Sequence, residues 1–472
     1  MLDALMMNWM GRTIEQARQS GPTRAGLLQP ERLRLLLAGY NGAYNMGADV
    51  RVEEMLRQFR HLLGEGRLES AVFRYEDPRA LCYFGDAEKL TPQVLFPRYL
   101  EQLVPQFDGV IACEGSTFKS TFTDLLSTMM VGALGLASAA GKLSVAYGAE
   151  VGEMTPRLTD MVTEYCRDSY LICRNQASRE RLARIGLAAE SGTDTAWTFE
   201  PLPRAYGEWE LRKQGWRGEP VLVLCAINPF WWPVQASFGK TLARGLGFYR
   251  HSHYGRIFFH QSGPEVEARF ARYLESIATS VREFCRMRGY FPVVAASERL
   301  DRHAMTRLSA LLGGTPTFRS DEYDTCQFVS ILRCANLMLS SRFHAIVTSM
   351  PGGVVSAGIS MDERINNLMH DRGHERLCLS VRDDDLTGRL LAALETMHEE
   401  ADVLRPQILQ TVARHLRQMA AMGRQFLQHV TARHSELASP RVQRSWEDYL
   451  PPIGRELEVI LERHSSESAH AA

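Results

Sequence analysis

Arg342 and His344, one residue apart where an apolar run gives way to polar residues, have the types and spacing to do chemistry. An arginine can fork onto a phosphate or a carboxylate, and a histidine can carry a proton near neutral pH. The run Ala335–Leu339 before them is too short for a helix of its own and stops at Ser340-Ser341, which suit a turn or a helix N-cap. The stretch therefore reads as a buried strand, a polar break and the first turn of a helix. In open α/β sheets that junction is where ligands bind, and helix N-termini attract anions there. The plainer reading is a surface arginine beside a core histidine.

Other junctions of the same kind precede it. Leu33–Ala38 is an apolar run with the length and edges of a buried parallel strand, followed by a glycine-rich stretch, Gly39 to Asp49, and a helix from about Val52 to Leu63. That order lets backbone N–H groups face an anion, with Asn45, Gly47 and Asp49 as candidates; a tight structural turn is the alternative. It is neither a dinucleotide fingerprint nor a Walker loop. Val110–Cys113 is a strand that runs into Glu114-Gly115-Ser116, and Tyr170–Cys173 is one that ends at Arg174. Val221–Ile227 leads into Asn228-Pro229-Phe230-Trp231-Trp232-Pro233, whose aromatics suit either stacking on a sugar ring or a buried plug. His251 and His253 alternate, but no third ligand at useful spacing points to zinc, so no metal is expected.

These pieces, in this order, resemble the polysaccharide pyruvyl transferase family. Ser341-Arg342-Phe343-His344-Ala345 is similar to its Arg-Leu-His signature, with Phe343 in place of leucine. Asp324 to Asn336 resembles the helix and strand that approach it. Ala357-Gly358-Ile359-Ser360-Met361-Asp362-Glu363-Arg364 resembles the strand and turn "I-S-Y-D-x-K", with Met361 and Arg364 substituting. Upstream, Asn45-Met46-Gly47-Ala48-Asp49 stands where the family has Asn-hydrophobic-Gly-Asp-Glu, with the carboxylate displaced by one residue. Glu114 replaces a glycine in a Gly-Gly-Gly-Ser-type loop, and Arg174 to Ser178 resembles an "R-D-x-x-S" element. Asn228 departs from a basic residue usual in the family. The resemblance spans roughly residues 33 to 380.

It implies a fold and a reaction. The fold is α/β, with two Rossmann-like domains facing across a cleft (GT-B-like) and a helical C-terminal extension. The reaction moves the enolpyruvyl carbons of phosphoenolpyruvate onto two sugar hydroxyls as a cyclic ketal and releases phosphate. Arg342, Arg174 and Phe343 would hold the donor, and His344 would protonate its methylene carbon. Asn45, Gly47, Asp49, Gly115 and Ser116 would form glycine-rich loops, and Glu114, His251 and His253 would face the acceptor. No cofactor or metal is required. The rival readings are a nucleotide-sugar glycosyltransferase on the same architecture and a non-catalytic scaffold in glycan assembly.

Composition narrows the class. At 472 residues the chain exceeds the size at which one core stops growing, so two domains are expected. Hydrophobic content of 45%, charge of 23% and a net charge of −1 describe an ordinary globular protein with no global field for nucleic acid or anionic lipid. Nine scattered cysteines without a C-x-x-C pair read as buried thiols of a reducing compartment. No signal peptide or transmembrane run is read, so the expected location is cytoplasmic, with phosphoenolpyruvate and a glycan or lipid-linked glycan as partners.

The expected domains are an N-terminal helix (1–30), a first Rossmann-like domain (31–205), a linker (206–220), a second domain (221–395) and a helical extension with a disordered tail (396–472). The N-terminal helix places Leu2, Leu5, Met6, Trp9, Met10 and Ile14 at helical spacing, which suits a helix packed on the body, with peripheral membrane contact through Trp9 and the methionines as the alternative; the C-terminal helices raise the option of an oligomer. Leu404, Ile408, Val412, Leu416, Met419, Phe426 and Val430 keep one apolar stripe along that extension.

Overall fold

The computed structural model describes residues 2–22, 26–29, 31–75, 83–245, 258–438 and 444–464. His251 and His253, Cys82 and the tail from Ser465 lie outside them. The chain divides into two compact units: Met1–Ala43, Ala48–Thr198 and Arg414–Ile453 form the first, and Tyr44–Gly47, Phe199–Ala413 and Gly454–Ala472 the second.

The first unit holds strands β1 (Leu33–Asn41), β2 (Leu68–Arg74), β3 (Glu88–Leu90), β4 (Gly109–Ala112), β5 (Leu143–Ala149), β6 (Tyr170–Cys173) and β7 (Glu190–Ser191). They lie in the order β3-β2-β1-β4-β5-β6-β7, every pairing parallel. The apolar runs seen in the sequence follow from this, because a parallel sheet is covered on both faces and its strands need apolar side chains on both. In β1, Leu33, Leu35, Leu36, Leu37 and Ala38 are all fully buried.

In the second unit, β8 (Val221–Cys225) is followed by a short antiparallel ribbon, β9 (Gln235–Ala236) with β10 (Phe258–Phe259). Then come β11 (Phe291–Ala296), β12 (Thr317–Arg319), β13 (Leu337–Ser340), β14 (Val355–Ser360) and β15 (Cys378–Ser380). The order β12-β11-β8-β13-β14-β15 is again wholly parallel. Each sheet has the doubly wound arrangement in which strand order reverses beside its first strand, at β1/β4 and at β8/β13. Both units are therefore Rossmann-like, the GT-B type of fold that the sequence implies.

Two details depart from the sequence reading. Residues 206–220 are not a free linker, because Arg204–Lys213 is a helix of the second unit. Gly207 sits so close to the helix Thr325–Leu332 that an added Cβ would lie 2.4 Å from the carbonyl oxygen of Ser330. The C-terminal extension is not separate: the helix Ala401–Arg433 begins in the second unit and ends in the first. All seven residues of its apolar stripe are buried, and Phe426 stacks on Phe59 with ring centroids 4.0 Å apart. On the N-terminal helix Leu2–Ser20, Met6, Met10 and Ile14 are buried, whereas Leu5 and Trp9 are exposed. Among the described residues no helix is long and apolar enough to cross a membrane.

Candidate functional site

In the second unit the site lies at the point where strand order reverses. β13 pairs with β8 until Ser340 stands opposite Cys225. The chain then turns: Ser340 Oγ accepts from the backbone N–H of Arg342 at 2.9 Å and donates to that residue's carbonyl at 2.9 Å. Ser341 donates its N–H to the Cys225 carbonyl at 2.8 Å, and its hydroxyl meets the Tyr273 hydroxyl at 2.6 Å. A seven-residue helix, Phe343–Ser349, follows. The polar break therefore forms a braced corner that fixes Arg342 and His344.

Arg342 is held by two carboxylates from the loop after β11. Its Nε donates to Asp301 Oδ2 at 2.9 Å, Nη2 donates to the other Asp301 oxygen, and Nη2 also pairs with Glu298 Oε2 at 2.7 Å. The guanidinium side chain keeps 13% of its exposure; Glu298 keeps 5% and Asp301 1%. Burial pushes both carboxyls above the usual carboxylate range, and the Arg342 charge opposes that shift. Next to them Asp362 caps the helix Glu363–Asp371 and grips Arg364, accepting from Nε at 3.1 and 3.0 Å and pairing with Nη2 at 2.8 Å.

His344 is half-buried, with the Phe343 ring edge-on at 5.0 Å. Phe343, expected to touch the donor, is itself buried. The glycine-rich segment Tyr44–Gly47 belongs to this unit. Met46 donates its N–H to the Ser297 carbonyl at 3.0 Å, and Ser320 Oγ donates to the Tyr44 carbonyl at 2.9 Å. Gly47 faces His344 so closely that a Cβ there would lie 2.1 Å from Nδ1. Two candidates three hundred residues apart in the chain, the glycine-rich turn and the Arg-x-His motif, thus meet; half-buried Asn45 lies in the same segment.

The first unit's candidates make their contacts within that unit. Asp49 is buried and accepts from the N–H of Gly42 at 2.6 Å, closing the turn after β1. Gly42 has φ +68°, which glycine adopts without strain. Arg174, expected to hold the donor, is buried and ion-paired to Glu150 and to Asp194, the latter at 3.0 Å. Arg51 is fully buried beside it, pairing with Asp194 at 3.0 Å and donating to the Gly148 carbonyl at 2.8 Å. A Cβ on Gly115 would lie 2.9 Å from Arg174 Nη1 and 3.1 Å from Arg51 Nη1, so this glycine lets the loop after β4 rest on both arginines. Glu114 accepts from the Ser116 N–H at 3.3 Å and its carbonyl accepts from the Thr117 hydroxyl; Ser116 is buried.

Glu298, Asp301 and Arg51 escaped the sequence reading. The signal for the first two is the strand end at Ala296, after which Ser297-Glu298 stands at the carboxyl edge of the sheet. After β8, Asn228 is buried and its Oδ1 accepts from the Phe230 N–H at 3.0 Å. Phe230, Trp231 and Trp232 are half-buried, and the Trp231 ring lies 4.8 Å from that of His260 and 5.9 Å from that of His303. Among the described residues no group of three or more His, Cys, Asp or Glu is placed to hold a metal.

The class defined so far is a chain of two Rossmann-like domains of the GT-B type. No family model matches the sequence. No curated protein matches it either. Solved structures do. The chain is similar to sucrose-phosphate synthase from Thermosynechococcus elongatus, 11% identical over 85% of this chain and 100% of that one, with a TM-score of 0.52. It is also similar to TcCGT1, solved in complex with UDP: 9% identical, with 85% and 100% covered and a TM-score of 0.52. A Listeria monocytogenes protein described as a UDP-N-acetylglucosamine 2-epimerase is 11% identical, with 84% and 97% covered and a TM-score of 0.50. At such identities the likeness speaks for the fold.

Proposed function

We propose that this protein is a transferase that moves the pyruvyl group of phosphoenolpyruvate onto two hydroxyls of a sugar in a polysaccharide or its precursor. The observation that carries this reading is the meeting of Gly47 with His344 on the same corner as Arg342. It gathers two of the segments through which the sequence resembles the polysaccharide pyruvyl transferases.

In this reading Arg342 holds an anionic group of the donor. His344 gives its proton to the methylene carbon, which becomes the methyl group and leaves a cationic centre on the oxygen-bearing carbon. A sugar hydroxyl bonds to that carbon and loses its proton, and the C–O bond to phosphate breaks. A second hydroxyl then adds to close the ketal. Ser340 and Asp301 hold the Arg342 backbone and guanidinium in one position for an incoming anion.

A second reading, a nucleotide-sugar glycosyltransferase, is favoured by the likeness to solved GT-B proteins, one of them holding UDP. Arg342 would then meet a diphosphate and His344 would have no obligatory acid role. Thermal-shift titration separates the two. Stabilisation by phosphoenolpyruvate and not by UDP or UDP-sugars supports pyruvyl transfer, to be followed by phosphate release on adding oligosaccharide acceptors. Stabilisation by UDP alone rejects it.

A further inference from the structure

We propose that Arg342 and Arg364 together form the seat for a doubly anionic phosphate compound, and that Glu298 occupies this seat until the ligand displaces it. This deepens the donor-binding reading of Arg342 and rests on it; Arg364 takes the part that the sequence assigned to Arg174.

Position comes first. β13 and β14 are neighbouring parallel strands, with Ser340 opposite Gly358. Arg342 follows the end of one and Arg364 follows the end of the other, on the same carboxyl edge of the sheet. Each guanidinium is held from within. Asp301 and Glu298 keep 1% and 5% exposure behind Arg342 at 13%, and Asp362 keeps 4% behind Arg364 at 18%. The carboxylates are the inner partners and the two cations are what solvent meets. A pair of arginines so arranged fits a ligand with two anionic groups better than one with a single charge.

Charge explains the part of Glu298. Two guanidinium groups face Glu298, Asp301 and Asp362, with Glu363 also acting on Arg364. Glu298 is drawn to Arg342 and Arg364 and repelled by Asp301, and burial disfavours its charge more than any of these. Asp301 makes a two-point contact with Arg342, through Nε and Nη2, and Glu298 meets Nη2. Glu298 is therefore the partner an incoming anion can replace. On losing Arg342 it takes one proton from solvent, so a dianion and a proton enter together and Glu298 is left buried as a neutral acid rather than as an unpaired charge. Affinity must then fall as pH rises, by up to about tenfold per unit where Glu298 is ionised in the free protein.

Isothermal titration calorimetry on the full chain tests this with phosphoenolpyruvate and UDP, at about pH 7.5 and about pH 8.5, where the terminal phosphate of each is already dianionic, in buffers of differing ionisation enthalpy. For the anion that binds, wild type should take up close to one proton. Arg364→Gln should weaken binding about tenfold, and Arg364→Lys should recover part of the loss. Glu298→Gln should bind at least as tightly as wild type, with no proton uptake and a flat pH profile. The seat is overturned if Arg364→Gln binds unchanged, or if Glu298→Gln still takes up a proton. Binding of UDP alone, weakened in Arg364→Gln, keeps the seat and rejects pyruvyl transfer. Turnover of phosphoenolpyruvate with an indifferent Arg364 keeps the reaction and rejects the seat. Silence with every anion rejects both.

Discussion

Gly47 leaves the His344 imidazole its place: a Cβ on this glycine would stand 2.1 Å from Nδ1 and 2.7 Å from Cβ of the histidine. No side-chain rotation clears both contacts, so Gly47→Ala must shift the loop or the motif. We expect the substitution to cost about 1–3 kcal/mol of stability, as overpacking does. Turnover should fall further, about a hundredfold, because catalytic geometry tolerates less displacement than packing does. Chemical denaturation and steady-state rates on the same preparation check the two effects.

Arg342 and His344 should fail differently. His344→Ala is expected to abolish phosphate release from phosphoenolpyruvate while leaving donor binding within a few-fold of wild type. Arg342→Ala should weaken donor binding. It should also destabilise the second unit by about 3–5 kcal/mol, because Glu298 and Asp301 would be left buried without their cation. Binding measured by calorimetry, beside rates and denaturation midpoints, tells the two apart.

Arg174 offers the converse case. It is closed in with Glu150, Asp194 and Arg51, all buried. Arg174→Ala should therefore cost about 3–5 kcal/mol of stability by leaving Glu150 buried without its cation, while Asp194 keeps Arg51. Any protein that stays folded should keep donor affinity. Loss of affinity without loss of stability would return Arg174 to the donor site.

Acid should weaken the first unit through His415. Burial lowers this imidazole from its ordinary 6.5 to about 3. It stacks on Trp197 with centroids 4.3 Å apart and shares a hydrogen bond with the Thr193 hydroxyl at 2.8 Å. Its folded value lies below its unfolded one, so its contribution is complete above pH 6.5 and is lost as pH falls toward 3. The loss is about 1.4 kcal/mol per unit in that window. In His415→Gln, denaturation midpoints followed between these limits should show a slope shallower by about one proton.

How much of this was legible in the chain follows from physics. Leu33–Ala38, Val221–Ile227 and Leu337–Leu339 announce buried parallel strands because such strands must be apolar on both faces. Arg342 and His344 stand out because they break such a run. Glu298 and Asp301 do not, since their partner lies 41 residues beyond Asp301 and no local pattern encodes that pairing. Arg51 sits on an amphipathic helix, where a charged residue reads as solvated; it is buried because Asp194, far along the chain, neutralises it. The helix Arg204–Lys213 hid within a stretch whose Pro, Gly and Trp content resembles a connector, and only its packing on Ser330 shows otherwise.

The membership of residues 414–453 in the first unit bears on how the protein is made. Phe59 and Gln58 wait for Phe426, Met419 and Tyr449, which leave the ribosome more than three hundred and fifty residues later. Synthesis runs from the N-terminus, so the half that emerges first cannot complete its interior until nearly the whole polypeptide exists. Expressing residues 1–198 alone would leave those apolar and amide groups uncovered, and such a fragment should aggregate unless the terminal helices are supplied in trans.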